Sequence, residues 1–171
     1  MRLFRHHLMK LHQDSKGAAL LELAAALPVV MFIGLGAIEY GNMVYTYHLI
    51  ENGVRDAARY GAGLPQTDAA GASLVSANNT AMTNMAMRGT SNTTGALRVS
   101  WWSTTGTVGV TYQTVSNDNG SGGKLYRGGT AITMVTVTAD VLYPELAFLS
   151  FLGRSAPTLH ASHQERVYGI R

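Results

Sequence analysis

The chain of 171 residues contains no cysteine. That removes any disulfide framework, any cysteine-based zinc site and any thiol nucleophile, and leaves the redox compartment open. Charge is scarce as well: Asp, Glu, Lys and Arg make up 13% of the residues, against 46% hydrophobic ones. The carboxylates are too sparse and scattered to offer an acid/base pair. A net charge of +3 could suggest nucleic acid, but the basic residues are not concentrated as such binders require. No G-x-S-x-G, P-loop or G-x-G-x-x-G occurs, and Gly120, Gly122 and Gly123 lack the strand-then-helix context of a phosphate loop. No catalytic residue, metal site, cofactor or nucleic-acid partner is therefore expected.

What is present is gathered near one end. Residues 18–38 are 21 positions with a single charge, Glu22. At about 1.5 Å per residue they span roughly 30 Å, the hydrocarbon thickness of a bilayer. Pro28, Gly34 and Gly36 would trouble a soluble helix but are tolerated in membrane helices, where neighbours satisfy freed backbone groups. Residues 1–16 carry Arg2, Arg5, Lys10 and Lys16 against Asp14 alone. The positive-inside rule keeps that leader cytoplasmic and exports everything after about Glu39. In a bacterium this describes a single-pass protein of the cytoplasmic (inner) membrane with a periplasmic C-terminal part. An ordinary cleaved signal fits less well: its core is about 7–15 residues, and the small triplet Ala24-Ala25-Ala26 lies near the start of the run, not after it.

Glu22 is the anomaly, because a carboxylate inside a span costs about 3 kcal/mol unless it is paired, snorkels or is neutralised. One turn from the cytoplasmic end it can reach the headgroups or Lys16. The local order is more telling: Lys16-Gly17, then Ala18-Ala19-Leu20-Leu21-Glu22, then unbroken apolar residues. This resembles a class III (type IV prepilin-like) signal. The resemblance implies cleavage by a prepilin peptidase between Gly17 and Ala18, with the apolar helix left attached. It also implies that Glu22 meets the new α-ammonium, on its own chain or a neighbour's, since two charges in a low-dielectric site are tolerable only when paired.

The series continues with Pro28, with Glu39-Tyr40-Gly41 at the outer end of the run, and with the 54–62 segment VRDAARYGA, which includes Arg59. Together these resemble the TadE-like family, pseudopilin components of the tight-adherence, Flp-type pilus machinery. The likeness covers about residues 15–62 and is architectural beyond. Ala18 replaces the phenylalanine of ordinary type IV pilins, and Val54 stands where the family's first A-R pair would lie, so no role is carried over to Arg55. The implied partners are a prepilin peptidase, other pilin-like subunits and pilus assembly machinery, alongside membrane lipid. The alternative is an uncleaved anchor tethering a periplasmic binding or sensor domain.

Past the membrane, Val44, Tyr47, Ile50 or Glu51, Val54, Ala57 or Ala58 and Gly61 recur at three and four, a narrow apolar stripe with Glu51, Arg55, Asp56 and Arg59 beside it. Glu51 and Arg55 form a supportive i,i+4 pair. Gly63 and Pro65 end this helix. Thr67 or Asp68 is placed to cap a second helix reaching about Met87, with Met82, Met85 and Met87 filling core gaps. From Ala96 the period becomes two: Leu97, Val99 and Trp101; Val108, Val110 and Tyr112; Val135, Val137, Ala139 and Val141. Three such strands predict an antiparallel sheet wetted on one face and covered by the helix on the other.

Adjacent Trp101 and Trp102 would face opposite ways in a strand, leaving Trp102 as a candidate exposed contact. Residues 116–130 hold five glycines and read as a mobile exposed loop. Asn117-Asp118-Asn119 is turn chemistry there, since the bidentate glutamate of a calcium loop is missing. The 145–153 segment ELAFLSFLG is too short to span and is expected to form a helical turn or two packed on the sheet, the alternative being a subunit contact or a membrane-surface patch. Residues 158–168 read as a last edge strand by family analogy. There His160-x-x-His163 would put its two rings on opposite faces. The whole is an α+β protein: a basic leader cleaved after Gly17 (1–17), a transmembrane helix and its extension (18–62), and an exported domain with a small antiparallel sheet packed on the helix (63–171).

Overall fold

A computed structural model describes residues 15–169 other than 69, 71 and 128. Most of the expected leader, including Arg2, Arg5 and Lys10, lies outside the described residues. The elements in chain order are α1 (Ser15–Ala62), α2 (Val75–Arg88), α3 (Trp102–Thr105), β1 (Gly106–Ser116), β2 (Ala131–Leu142), α4 (Phe148–Phe151) and β3 (Thr158–Arg166). The chain divides into two compact units, one ending at Gly41 and one starting at Asn42, so the boundary falls inside α1.

The first unit is the apolar part of α1. Leu20, Leu21, Leu23, Val30, Phe32 and Ile33 are all exposed, on every side of the helix. Among the described residues α1 is the helix long and apolar enough to cross a membrane, and it makes this a single-pass membrane protein by length and composition. Pro28 sits within it. Its missing N–H leaves the carbonyl of Ala24 without the usual helical donor.

The second unit is an α+β domain. Its three strands run antiparallel in the order β1-β2-β3. Along central β2, Val135, Val137, Ala139 and Val141 are buried while Thr138 and Asp140 face water, the alternation of a sheet covered on one side. The outer half of α1 joins the same core through Ile50, Val54, Ala57, Ala58 and Ala62, with Met82 and Ala86 of α2, Trp102 and Tyr143. Small residues set the approach. A Cβ on Gly53 would collide with the Ala86 carbonyl and crowd the Trp102 ring. Helix α2 closes on Gly89, whose φ of 75° is the left-handed cap that glycine adopts without a Cβ clash, its N–H donating to the Met85 carbonyl.

Three hydrogen bonds, at two points, fix the direction of the helix along the sheet. Asn42 donates to the Tyr143 hydroxyl at 2.7 Å. Twenty residues on, the Ala62 carbonyl accepts from the N–H groups of Tyr168 and Gly169 at 2.8 and 3.1 Å. The sheet therefore has a near end, at Leu142 and Thr158 beside the start of this half-helix, and a far end at Ser116, Ala131 and Arg166.

Four expectations change. The period-two run at 97–101 is not a strand. Arg98 is pulled to α1, donating to Asp56 at 2.6 Å, and its N–H donates to the Met87 carbonyl at 2.7 Å. Val99 and Trp102, three residues apart, are both buried. A helical turn rather than a pleat brings them inward, so Trp102 is fully buried and is no surface contact, while Trp101 is half-buried. The second helix starts at Val75, because the Asp68 carboxylate instead accepts the N–H groups of Ala70 and Ala72 and closes a local turn. The 116–130 connection is organised about Asn117, which is fully buried. Its amide donates to the Tyr126 and Gly129 carbonyls and its oxygen accepts the Tyr126 N–H, all at 2.8 Å. The 145–153 segment does form one helical turn, α4, but that turn buries none of its residues.

Candidate functional site

The residues singled out at the N-terminal end all lie on α1. The helix begins at Ser15, so it carries Gly17 and Ala18, the expected processing junction, in helical conformation. A Cβ on Gly17 would meet nothing within 4 Å. An alanine there would therefore meet no steric obstacle within the chain. Glu22 is exposed and stands four residues after Ala18, on the same face one turn along. A free amine at Ala18 would lie at the tip of a helix whose own N-terminal N–H groups already carry positive partial charge. A carboxylate one turn inside favours both.

The outer motif is split in behaviour. Among the described residues Glu39 is the charged side chain counted as buried, 4% exposed, while adjacent Tyr40 and Gly41 are exposed. Pro28 is exposed within the helix. Arg59, about five turns past Gly41 along the helix, is exposed, with its Nε 3.9 Å from the Glu165 carboxylate on β3. These residues do not converge on one pocket. They mark successive heights along one helix, which suits a part that packs sideways against similar helices.

The domain supplies little that resembles a reaction centre. Among the described residues no three or more His, Asp or Glu side chains gather where a metal ion could be held. His160 and His163 do lie on opposite faces of β3; the first sits 2.5 Å from Asp140 and the second 3.0 Å from Glu165. A groove of about 470 Å³ at the far end is lined by Gln66, Thr67, Ile132, Thr133, Arg166 and Val167. Arg166 is held there, donating to the Arg127 carbonyl at 2.8 Å and lying 5.9 Å over the Tyr126 ring. Met82 is fully buried and Met85 and Met87 pack against the same core, as gap-filling methionines do.

Local pattern could not find the Asn42–Tyr143 link or Asn117. The first joins residues 101 apart, and the second is a polar side chain in a glycine-rich stretch that reads as solvent-facing. A polar residue directly after Gly41, where the apolar run has just ended, was the one available hint for Asn42.

Compared with known proteins, residues 17–59 match the family model of TadE-like proteins. No curated protein and no solved structure matches the chain.

Proposed function

We propose, from the premise that residues 17–59 are a TadE-like segment, that this protein is a minor pilin-like subunit supporting assembly of an adhesive tight-adherence pilus. A prepilin peptidase removes the leader after Gly17 in the bacterial cytoplasmic membrane, with the N-terminus cytoplasmic and the domain from Asn42 onward outside. The protein performs no chemistry of its own. It acts by lateral packing of the apolar half of α1 among related helices and by contacts of the exported domain with other subunits.

The observation that supports this reading best is the placement of Ala18 and Glu22 one helical turn apart on an exposed apolar helix. Once the leader is cut, the ammonium and the carboxylate form a dipole that an adjoining helix can satisfy in either register, its own or shifted. An unpaired carboxylate at this depth is costly, so the pair selects assemblies in which every Glu22 faces an amine.

The test is the intact mass of the protein from membranes of its native host, beside Gly17→Ala and Glu22→Gln. The expected result is a species lacking residues 1–17 in the parent and in Glu22→Gln, and the full-length chain in Gly17→Ala. Glu22→Gln is then expected to be cleaved but absent from assembled pili or assembly complexes. Full-length mass in all three would sink the pilin reading and leave a tethered domain in its place.

A further inference from the structure

The near end of the sheet carries an apolar surface that the core does not use. After β2 the chain makes a loop closed at its base by the Tyr143 N–H donating to the Pro157 carbonyl at 2.9 Å. Within it the Glu145 carboxylate accepts the Ser150 N–H at 2.7 Å, and the Arg154 N–H donates to the Leu149 carbonyl at 2.9 Å. Polar bonds of its own thus set the loop's shape, with Phe148 and Leu149 half-buried while Leu146, Phe151 and Leu152 stay outside. Phe151 is 78% exposed, Leu146 57% and Leu152 44%. Scattered single apolar residues on a surface are ordinary, but three on one short ordered loop mark a contact.

Where the loop is rooted says what covers it. Its base residue Tyr143 accepts the hydrogen bond from Asn42. Asn42 is only four residues beyond Ile38, the last of the apolar run, or about 6 Å of helix rise. The loop is therefore tethered to the point at which α1 leaves its lipid-compatible stretch. Tyr40 and Tyr45, both exposed on that part of the helix, are the residue type that gathers at membrane–water boundaries. The charges nearby agree. Arg154 is exposed directly after the apolar tip, the Glu145 carboxylate is held by the Ser150 N–H, and Asp140 is paired with His160. An apolar tip beside a free-standing cation is the make-up of an interfacial segment that rests among anionic headgroups.

We propose that the 144–154 loop inserts Leu146, Phe151 and Leu152 into the headgroup region of the bilayer that α1 crosses, giving the domain a second membrane contact. This rests on the reading of α1 as a span. Such a contact would have to be released when the subunit is extracted into a fibre.

The absence of cysteine allows a clean test on the full chain, since any label site can be introduced singly. An environment-sensitive fluorophore is attached at Phe151→Cys, at Met31→Cys in the apolar run and at Ser121→Cys at the far end. Each labelled chain is reconstituted into phosphatidylcholine/phosphatidylglycerol vesicles containing lipid-borne nitroxides at shallow or deep positions. The expected result is blue-shifted emission at 151 lost to the shallow nitroxide, emission at 31 lost to the deep one, and emission at 121 unaffected. Quenching at 31 with water-like emission at 151 would overturn the loop contact and leave the span standing. Blue-shifted emission at 151 that no lipid nitroxide quenches would overturn it in favour of a protein neighbour. No quenching at 31 would overturn the span and the loop contact together.

Discussion

Between Gly17 and Gly41, helix α1 carries Leu, Val, Phe and Ile on all sides and leaves them exposed; between Asn42 and Ala62 it buries Ile50, Val54, Ala57, Ala58 and Ala62 and turns Asn52 and Arg59 to water. One helix thus follows two rules. The first half is apolar all round, which suits lipid or a ring of similar helices but names no particular face. The second has a stripe, and after Val54 it narrows to small residues, Ala57, Ala58 and Ala62, that let the helix come close to its neighbours. What the difference teaches is where specificity resides. In the second half it is steric and already satisfied within the chain. In the first, on the proposed function, it would rest on a few polar or special residues, Gly17, Glu22 and Pro28, with partners on other molecules.

The sharpest contrast is in what a large-to-small change does. Trp102 is fully buried under the second half of α1. Replacing it with alanine should cost the domain about 3–5 kcal/mol, a large part of the roughly 5–15 kcal/mol of a typical domain. Phe32→Ala, in the first half, should leave the same unfolding transition where it was. Denaturant titration of the detergent-solubilised chain, followed by near-UV circular dichroism, measures both. Trp102→Phe should lose much less, since it keeps most of the buried ring and removes an indole N–H with no hydrogen-bond partner among the described residues. Equal midpoints for the parent and Trp102→Ala would mean that the helix does not depend on this core.

The same contrast decides what could be read from sequence. Patterns local to one element came through: the end of α1 at Ala62 before Gly63 and Pro65, the buried alternation of β2, the edge strand β3, and the Glu51–Arg55 pair, 2.7 Å apart. The motif proposed for processing, a glycine and a glutamate five residues apart, is equally local, and the mass measurement above is what tests it. What did not come through depends on partners distant in sequence. A spacing of two across Leu97, Val99 and Trp101 imitates a strand, but the Asp56–Arg98 pair, 42 residues apart, holds the segment against α1, and Val99 and Trp102 then meet the core through a turn. Asn117 reads as a loop residue because nothing in its neighbourhood shows that three backbone groups will converge on it. The 145–153 segment has the composition of a core helix, yet its bonds to itself leave Leu146, Phe151 and Leu152 out.

A smaller effect separates the two halves by their glycines. A Cβ at Gly53 would strike the Ala86 carbonyl, a backbone atom that cannot swing aside, whereas one at Gly34 meets nothing within 4 Å. Gly53→Ala should therefore destabilise the domain by about 1–3 kcal/mol through overpacking. Gly34→Ala should leave the domain's midpoint unchanged and, by helix propensity alone, favour the helix by up to about 1 kcal/mol. Thermal unfolding of the two variants side by side measures the difference. If Gly34→Ala then fails in pilus assembly while its domain unfolds normally, Gly34 is a close-packing position between subunits, and the first half of α1 has a face after all, one that only assembly reveals.

The smallest expected difference is a response to alkali that belongs to the domain. Residues 17–39 contain no tyrosine. In the domain, Tyr112 is half-buried on the inner face of β1 with its hydroxyl 3.6 Å from Met82 Sδ. Burial raises its pKa above the ordinary 10.0, a hydrogen bond with Gln66 opposing in part. Below pH 10 the phenol is neutral in both folded and unfolded chains, and the stability it supports is fully present. As the pH rises past 10 the unfolded chain loses this proton first, so it binds fewer protons than the folded one and stability falls until the raised folded pKa is passed. Urea midpoints taken from about pH 9 to about pH 11 should decline in the parent and stay flatter in Tyr112→Phe. A slope that persists undiminished in Tyr112→Phe would assign the alkaline loss to another group, and the seam between β1 and α2 would then owe its stability to packing around Met82 rather than to a phenol kept neutral.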